Sequence, residues 1–449
     1  MKTRDIFCLA ILTLTLPLFF YKLGQSSLVN WDEAWYASIS RTIAQSGNLL
    51  NLNWNGLPYI DHPPFGFWLE AAVFKIFGVS EFWARFPQAI AGLLSVYFTF
   101  YLGKELFNRL VGIVSATILS SSFWFVYRAR SGNLDILLTL LFLVSIYLML
   151  KASKDKKYFP HLSVSLICLF LTKTLVPFAI IPVSIVIFWH KKIDKKSWKY
   201  PISAFFLICA YFIYQTITYP QFLQNFTSVG LRGVSIKTDY LANLALTKNY
   251  LYQGIGKWFW PGIGGLLISF VLVQKRLFIL VTFFATFLLP FIFSPKVQIW
   301  HLIPLHPILI LLFFGGVYSF FEKFAYSKRY LFFAIVMIAS SYFYINQIRR
   351  VWYQVIDIPK YISDEAILSK EASNYPQKLL TDGDFDPTAV FYSGKNVLKI
   401  KREELASLLQ KPTSFLLITN DWRLKDPQIN PQSYQIIKKD RDKVLILHQ

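Results

Sequence analysis

The sequence predicts an α-helical polytopic membrane protein that carries a small C-terminal α/β domain. Of its 449 residues 55% are hydrophobic, 18% aromatic and only 16% charged, more Phe, Leu and Ile than a water-soluble core needs. About eleven apolar stretches are long enough, or nearly so, to cross roughly 30 Å of hydrocarbon. After Asn346 the composition turns charged, and short strand-like and helix-like segments alternate.

In chain order the apolar stretches lie near residues 6–23, 84–103, 110–127, 134–150, 159–172, 175–190, 201–219, 258–273, 277–293, 301–321 and 330–346. The first begins with Lys2 and Arg4 and has no small-residue cleavage site before Gln25, so a retained span is expected rather than a signal peptide. The fifth and sixth are short, and read either as two spans or as one re-entrant pair. With a cytoplasmic N-terminus, loops 104–109, 151–157, 191–199, 274–276 and 322–329 are cytoplasmic, and all are dense in Lys or Arg. The opposite loops, 24–65, 128–133, 172–175, 220–257 and 294–300, are longer in total and poorer in positive charge.

This alternation accounts for the formal charge of +21. No basic, aromatic-laced domain of the kind that reads nucleic acid is present. Cys8, Cys168 and Cys209 each sit inside an apolar run, which suits packing rather than a disulfide framework or metal cluster. Residues 1–346 are thus expected to form a transmembrane domain with an outer loop at 24–83, and 347–449 an extracytoplasmic α/β domain. In the latter, 378–381, 397–400 and 414–419 read as strands, 402–410 as a helix, and 434–438 with 443–447 as a hairpin about Lys439-Asp440-Arg441-Asp442. It serves either as a cap or docking surface, or as part of a site.

The first outer loop sets acidic chemistry beside the first span, in Trp31-Asp32-Glu33-Ala34-Trp35-Tyr36 and Asp61-His62-Pro63-Pro64. Trp31, Trp35, Ile39 and Ile43 recur every four residues as one helical stripe, while Asp32 and Tyr36 share another face. This interfacial helix is expected to end at Gly47. A second amphipathic stretch, 65–77, follows the double proline, which fixes an extended entry. Two such helices would frame a pocket at the membrane surface. Passive anchoring by belt aromatics explains Trp31 and Trp35 but leaves Asp32 and Glu33 without a role.

These motifs resemble the bacterial polytopic glycosyltransferases of the protein O-mannosyltransferase and aminoarabinose transferase superfamily, which have the GT-C fold. The likeness rests on Trp31-Asp32-Glu33-Ala34-x-Tyr36, on Leu57-Pro58-Tyr59 with His62-Pro63-Pro64 and Trp68, and on Arg130 five residues before Asp135. It continues through Phe77-Gly78-Val79 with Glu81 and Arg85, and through Leu171-Thr172-Lys173. Beyond residue 190 it thins to Lys296 and Trp300-His301-Leu302-Ile303-Pro304-Leu305. Such a resemblance implies an enzyme of the plasma membrane that takes a sugar from a polyprenyl-phosphate donor and passes it, with inversion, to a lipid, glycan or protein acceptor on the outer face.

Asp32 matches the family's catalytic acidic position, and a carboxylate that accepts the hydroxyl proton as the new bond forms suits the chemistry. Glu33 points about 100° away on the helix and either orients Asp32 or binds acceptor. Trp35 and His62 stand where the aminoarabinose transferases have Arg and Lys, so acceptor and phosphate contacts are expected to differ. The leaving lipid phosphate needs fixed cations or donors. With Tyr36 beside Asp32, the candidates are His62, Arg128, Arg130, Lys173, Lys296 and His301, with Asp135 either pairing Arg128 and Arg130 or serving as the partner that Lys173 needs near the end of an apolar span. Snorkelling is the competing account of Lys173. His161, His190 and His306 show no partner pattern and read as structural.

No cofactor is required by this chemistry. A divalent ion held by Asp32, Glu33, Asp61 and His62 is conceivable, though no ligand spacing of the His-x-x-x-His kind supports it. The alternative class is a transporter or flippase of a lipid-linked sugar. Ionisable residues then belong near the midplane, often on broken helices in related halves, whereas here nearly all fall at span ends.

Overall fold

The computed structural model describes residues 3–189, 194–231, 239–324 and 326–448. His190 lies outside them. The chain divides into two compact units, one comprising Met1–Lys22, Ile60–Gly66 and Gln88–Ile358, the other Leu23–Tyr59, Phe67–Pro87 and Pro359–Gln449.

The first unit is a bundle of apolar helices. Among the described residues six helices are long and apolar enough to cross a membrane: Glu81–Leu106, Asp135–Ala152, Lys196–Thr218, Tyr240–Leu272, Lys275–Ile292 and Leu305–Phe324. The pair Arg109–Leu119 and Phe123–Ala129 makes a seventh if its 71° bend is counted as one broken span. This is a multi-pass membrane fold. Several of the eleven apolar stretches are interrupted rather than continuous, for local reasons.

The first stretch breaks into helices Thr3–Thr13 and Leu16–Phe20. Pro17 lacks a donor there, and the Thr13 and Thr15 hydroxyls bond back to the carbonyls of Ala10 and Leu12. The third bends at Ser120-Ser121-Ser122, where Ser120 and Ser121 bond the carbonyls of Thr117 and Ile118, and Ser122 Oγ lies 3.0 Å from His306 Nδ1. Helices Phe159–Phe170 and Ile180–Phe188 stay short, with an irregular segment between them. The eighth is preceded by a further helix, Tyr240–Ile255, to which Gly256 (φ 69°) joins it. Helix Phe259–Leu272 then packs so closely on Leu305–Phe324 that a Cβ on Gly265 would lie 2.4 Å from the Leu312 carbonyl, the small-residue contact that membrane helices use in place of a hydrophobic driving force.

The second unit joins the outer-loop helices to the C-terminal sheet. Helix Asp32–Ser46 ends at Gly47 (φ 73°), and Phe65–Phe77 follows the double proline. A short ladder pairs β1 (Asn53–Trp54) with β2 (Leu57–Pro58). Of the Trp31 stripe, Ile39 and Ile43 are buried while Trp31 is 59% exposed, so two of its four residues pack against protein rather than lipid.

The sheet has β3 (Leu379–Thr381), β4 (Val397–Lys399), β5 (Phe415–Asn420), β6 (Tyr434–Asp440) and β7 (Lys443–His448), in the order β4-β3-β5-β7-β6. β4 and β5 run parallel to β3, and β7 antiparallel to β5 and β6. Alternation sends Leu379, Leu416, Ile418, Leu445 and Leu447 to one face, with helices Asp364–Ala372 and Asp386–Ser393. Leu380, Phe415, Leu417, Val444 and Ile446 go to the other, with helix Leu405–Leu408. Phe391 of helix Asp386–Ser393 packs with Ala34 and Ala37 of the Asp32 helix.

Candidate active site

In the second unit the acidic motif opens a helix. Trp31, just before it, has φ 71° and ψ −130°, a backbone conformation that L-residues adopt only under constraint and that is enriched at functional sites. Asp32 is half-buried, but Glu33 is only 3% exposed. Glu33 Oε1 lies 2.7 Å from Arg85 Nε and Oε2 3.0 Å from Arg85 Nη2, and Oε2 also accepts from the Val29 amide at 2.7 Å. The remaining Arg85 donors reach the carbonyls of Leu23, Ser26 and Ser27, each at 2.9 Å. Glu33 thus fixes, through one guanidinium, the loop that delivers Asp32. Fork-to-fork geometry of this kind is the stronger, directional form of the ion pair.

Around the helix stand aromatic faces. Trp35 contacts Trp54 (5.1 Å between ring centroids) and Tyr59 (5.8 Å), and Tyr36 meets Phe67 edge-on at 5.3 Å. The indole N–H groups of Trp35 and Trp54 are buried without a hydrogen-bond partner among the described residues. Glu70, a buried residue, accepts from the Ser40 hydroxyl at 3.0 Å. Burial pushes its carboxyl up to about 8.

In the first unit the structure gathers Arg128, Asp135, Lys173 and His301. Asp135 is 2% exposed and pairs with Arg128 Nη2 at 3.0 Å and with the Lys173 ammonium. Its backbone N–H donates to Asn133 Oδ1 at 2.9 Å, and the Asn133 amide donates to the Arg128 carbonyl. The Arg128 guanidinium lies 5.1 Å from the Trp300 ring centroid, a cation–π contact. His301 stacks on Phe291, and its Nδ1 accepts from the Gln298 amide at 3.0 Å. Lys173 belongs to the irregular segment after helix Phe159–Phe170, where the Leu171 carbonyl accepts from the Phe65 amide at 2.8 Å. An apolar cavity of about 370 Å³ begins at Leu175, two residues beyond Lys173, and includes Phe291, the ring under His301.

Other expected residues lie elsewhere. The Arg130 guanidinium donates to the carbonyls of Leu18 (3.2 Å) and Tyr21 (2.7 Å), which ties it to the first apolar segment rather than to Asp135. Lys296 is exposed. His62 is buried, and Asp61 accepts from the Asn225 side chain. Among the described residues no three His, Cys, Asp or Glu side chains assemble as a metal-ion ligand set. The role of Arg85 was missed. The signal was there, because a carboxylate on the helix face turned away from Asp32 needs a counter-ion, and Arg85 closes the Phe77–Arg85 motif. Trp300 and Glu70 carried no separate signal.

The sequence profile of the dolichyl-phosphate-mannose-protein mannosyltransferase family matches residues 61–214. An uncharacterised protein of Aquifex aeolicus is 31% identical over 152 residues, 34% of this chain and 30% of that protein. The undecaprenyl phosphate-alpha-4-amino-4-deoxy-L-arabinose arabinosyl transferase of Pseudomonas savastanoi is 34% identical over 128 residues, 28% of this chain and 23% of that enzyme. These matches span less than a third of either relative. By fold, ArnT from Cupriavidus metallidurans bound to undecaprenyl phosphate superposes with a TM-score of 0.73 at 15% identity, over 99% of this chain and 97% of ArnT. The Archaeoglobus fulgidus oligosaccharyltransferase gives 0.57 at 12% identity, over 87% and 62%. Across residues 61–214 the chain is thus similar in sequence to the dolichyl-phosphate-mannose-protein mannosyltransferase family, and along its length it has the fold of ArnT.

Proposed function

We propose that the protein is an inverting membrane glycosyltransferase that moves a sugar from a polyprenyl-phosphate donor to a lipid, glycan or protein acceptor on the outer face of the cytoplasmic membrane. The observation that carries this reading is the pair of buried cations, Arg128 and Lys173, held by one buried carboxylate, Asp135, next to an apolar cavity. A prenyl chain suits the cavity, and its phosphate suits the cations. The acceptor hydroxyl attacks the anomeric carbon from the face opposite the phosphate, and the C–O bond to the phosphate breaks. Asp32 takes the hydroxyl proton, and the electron pair leaves on the phosphate oxygen, where Arg128, Lys173 and His301 meet the growing charge. Glu33 positions the Asp32 loop through Arg85, while Tyr36 and Trp35 offer faces to a sugar ring.

In this reading the N-terminus is cytoplasmic, the chain makes about eleven crossings or re-entries, and the part after residue 346 is extracytoplasmic together with the loop that bears Asp32. Basic loops on one side and the acidic motif on the other support that orientation. The test is mass spectrometry of cell-envelope lipids and glycans from a strain lacking the gene, complemented with the wild type or with Asp32→Asn. The wild type restores a sugar-modified species that Asp32→Asn, inserted at equal level, does not. Full restoration by Asp32→Asn ends the catalytic assignment.

A further inference from the structure

The second unit holds a polar cleft of about 440 Å³ that the transfer reaction does not use. It opens at the carboxyl ends of parallel strands. β3 has β4 on one side and β5 on the other, and the connecting helices Asp386–Ser393 and Leu405–Leu408 cover opposite faces. The chain therefore leaves β3 and β4 in opposite directions, and the cleft lies at that switch point, where open α/β sheets bind ligands. Gly383 and Asp384 follow β3, Asn420 ends β5 and Arg402 follows β4; all four line the cleft.

Its chemistry is specific. Arg402 is exposed and has no ion pair among the described residues. Arg423 is 9% exposed and pairs with Asp382, yet its Nε–H is buried without an acceptor among the described residues. Asn420 adds an amide and Asp384 a carboxylate already paired with Lys399, and the exposed Tyr361 ring, with the Arg441 guanidinium 5.0 Å from its centroid, adds an aromatic wall. A sugar ring needs short polar side chains that both donate and accept, with an aromatic face for its C–H side. The arginines match a planar or tetrahedral anion, and the volume is that of a small-molecule site.

We propose that this cleft binds a phosphorylated sugar. One wall is Ser27–Asn30, the segment that runs into Trp31 and Asp32. Asn30 Nδ2 donates to the Asp384 carbonyl at 2.6 Å, and Asn30 Oδ1 accepts from the Thr388 amide (3.3 Å) and hydroxyl (3.2 Å). A ligand on Asp384 and Asn420 therefore stiffens the loop that presents the carboxylate.

The test is isothermal titration of the full-length protein in detergent with a panel of hexose and pentose phosphates, the matching free sugars, and inorganic phosphate. At least one sugar phosphate is expected to saturate about tenfold more tightly than both its free sugar and inorganic phosphate. Arg402→Gln and Asn420→Ala, the first at an exposed position where folding is not at stake, each weaken it about tenfold, whereas Lys173→Met leaves it unchanged. Absence of saturable binding across the panel overturns the proposal. So does inorganic phosphate binding as tightly as the sugar phosphates, an unaltered affinity in Arg402→Gln, or loss of binding in Lys173→Met, which would move the site to the membrane bundle.

Discussion

Asp32 and Glu33 are adjacent carboxylates with opposite assignments, and a pair of charge-only substitutions separates them. Glu33→Gln keeps the size of the side chain but removes the charge opposite a guanidinium that is 7% exposed. Among the described residues two of the five Arg85 hydrogen bonds end on that carboxylate, and losing one member of a buried pair costs about 3–5 kcal/mol. For a unit of this size that corresponds to a fall in Tm of roughly 6–20 °C. Asp32→Asn keeps the size of a half-buried side chain and most of its hydrogen-bonding capacity, so its Tm should stay within about 2 °C while transfer falls about 10²–10⁴-fold. The assay is differential scanning fluorimetry of both variants in one detergent, alongside sugar transfer in reconstituted membranes. The double variant Glu33→Gln/Arg85→Met should recover part of the loss, because a buried pair replaced on both sides is far less harmful than one stranded charge. If Glu33→Gln melts with the wild type yet abolishes transfer, the holding role is wrong and Glu33 acts directly on the reaction.

Three further outcomes follow from the geometry. Lys173→Met should abolish the stabilisation that added polyprenyl phosphate gives the wild type, about 2.7 kcal/mol at a hundredfold excess over Kd and read as a rise in Tm; an unchanged rise places the phosphate elsewhere. Glu70 holds a proton in the folded state between its ordinary value of 4.5 and about 8, so its contribution is full below pH 4.5 and is lost as pH rises through 8. Glu70→Gln should therefore raise Tm at pH 8 and leave it unchanged at pH 4, and equal shifts at both would contradict the buried neutral carboxyl. Gly265→Ala should cost about 1–3 kcal/mol through overpacking against Leu312, seen as a lower Tm and a smaller monodisperse fraction, whereas Gly264→Ala, whose Cβ meets open space, should have little effect.

Periodicity made the regular elements legible. The Asp32 helix ends at Gly47 and the second helix covers 65–77, as the stripe and the double proline require, and the strands at 379–381, 397–399 and 415–420 stand within a residue or so of their β-branched and leucine-rich runs. Interruptions were not legible, because hydropathy averages over them. Pro17, the Ser120–Ser122 triplet and Gly256 leave a window apolar while removing or diverting backbone hydrogen bonds. Partnerships across long separations were the other blind spot. Lys173 advertised its need for a carboxylate and found Asp135, 38 residues away. Arg130, two residues after Arg128 and equally basic, faces the opposite way onto the carbonyls of Leu18 and Tyr21. Nothing in a linear pattern separates those two arginines, because the difference is which side of a short helix the first apolar segment occupies.

Asp135 explains why the membrane unit can carry two cations at one place. Each alone would be desolvated at heavy cost at the end of an apolar segment, and each would need ordering when a ligand arrived. A shared carboxylate, on a residue whose backbone N–H bonds the Asn133 side chain that also bonds the Arg128 carbonyl, supplies the compensation in advance and fixes the two head groups. In the proposed transfer the electrostatic work of phosphate departure would then be done by charges that need not move, which is the condition under which such charges lower a barrier rather than merely bind a ground state. Asp135 on this account never touches the reacting atoms. Its removal should therefore cost both stability and transfer together, unlike the removal of Asp32, which costs transfer alone.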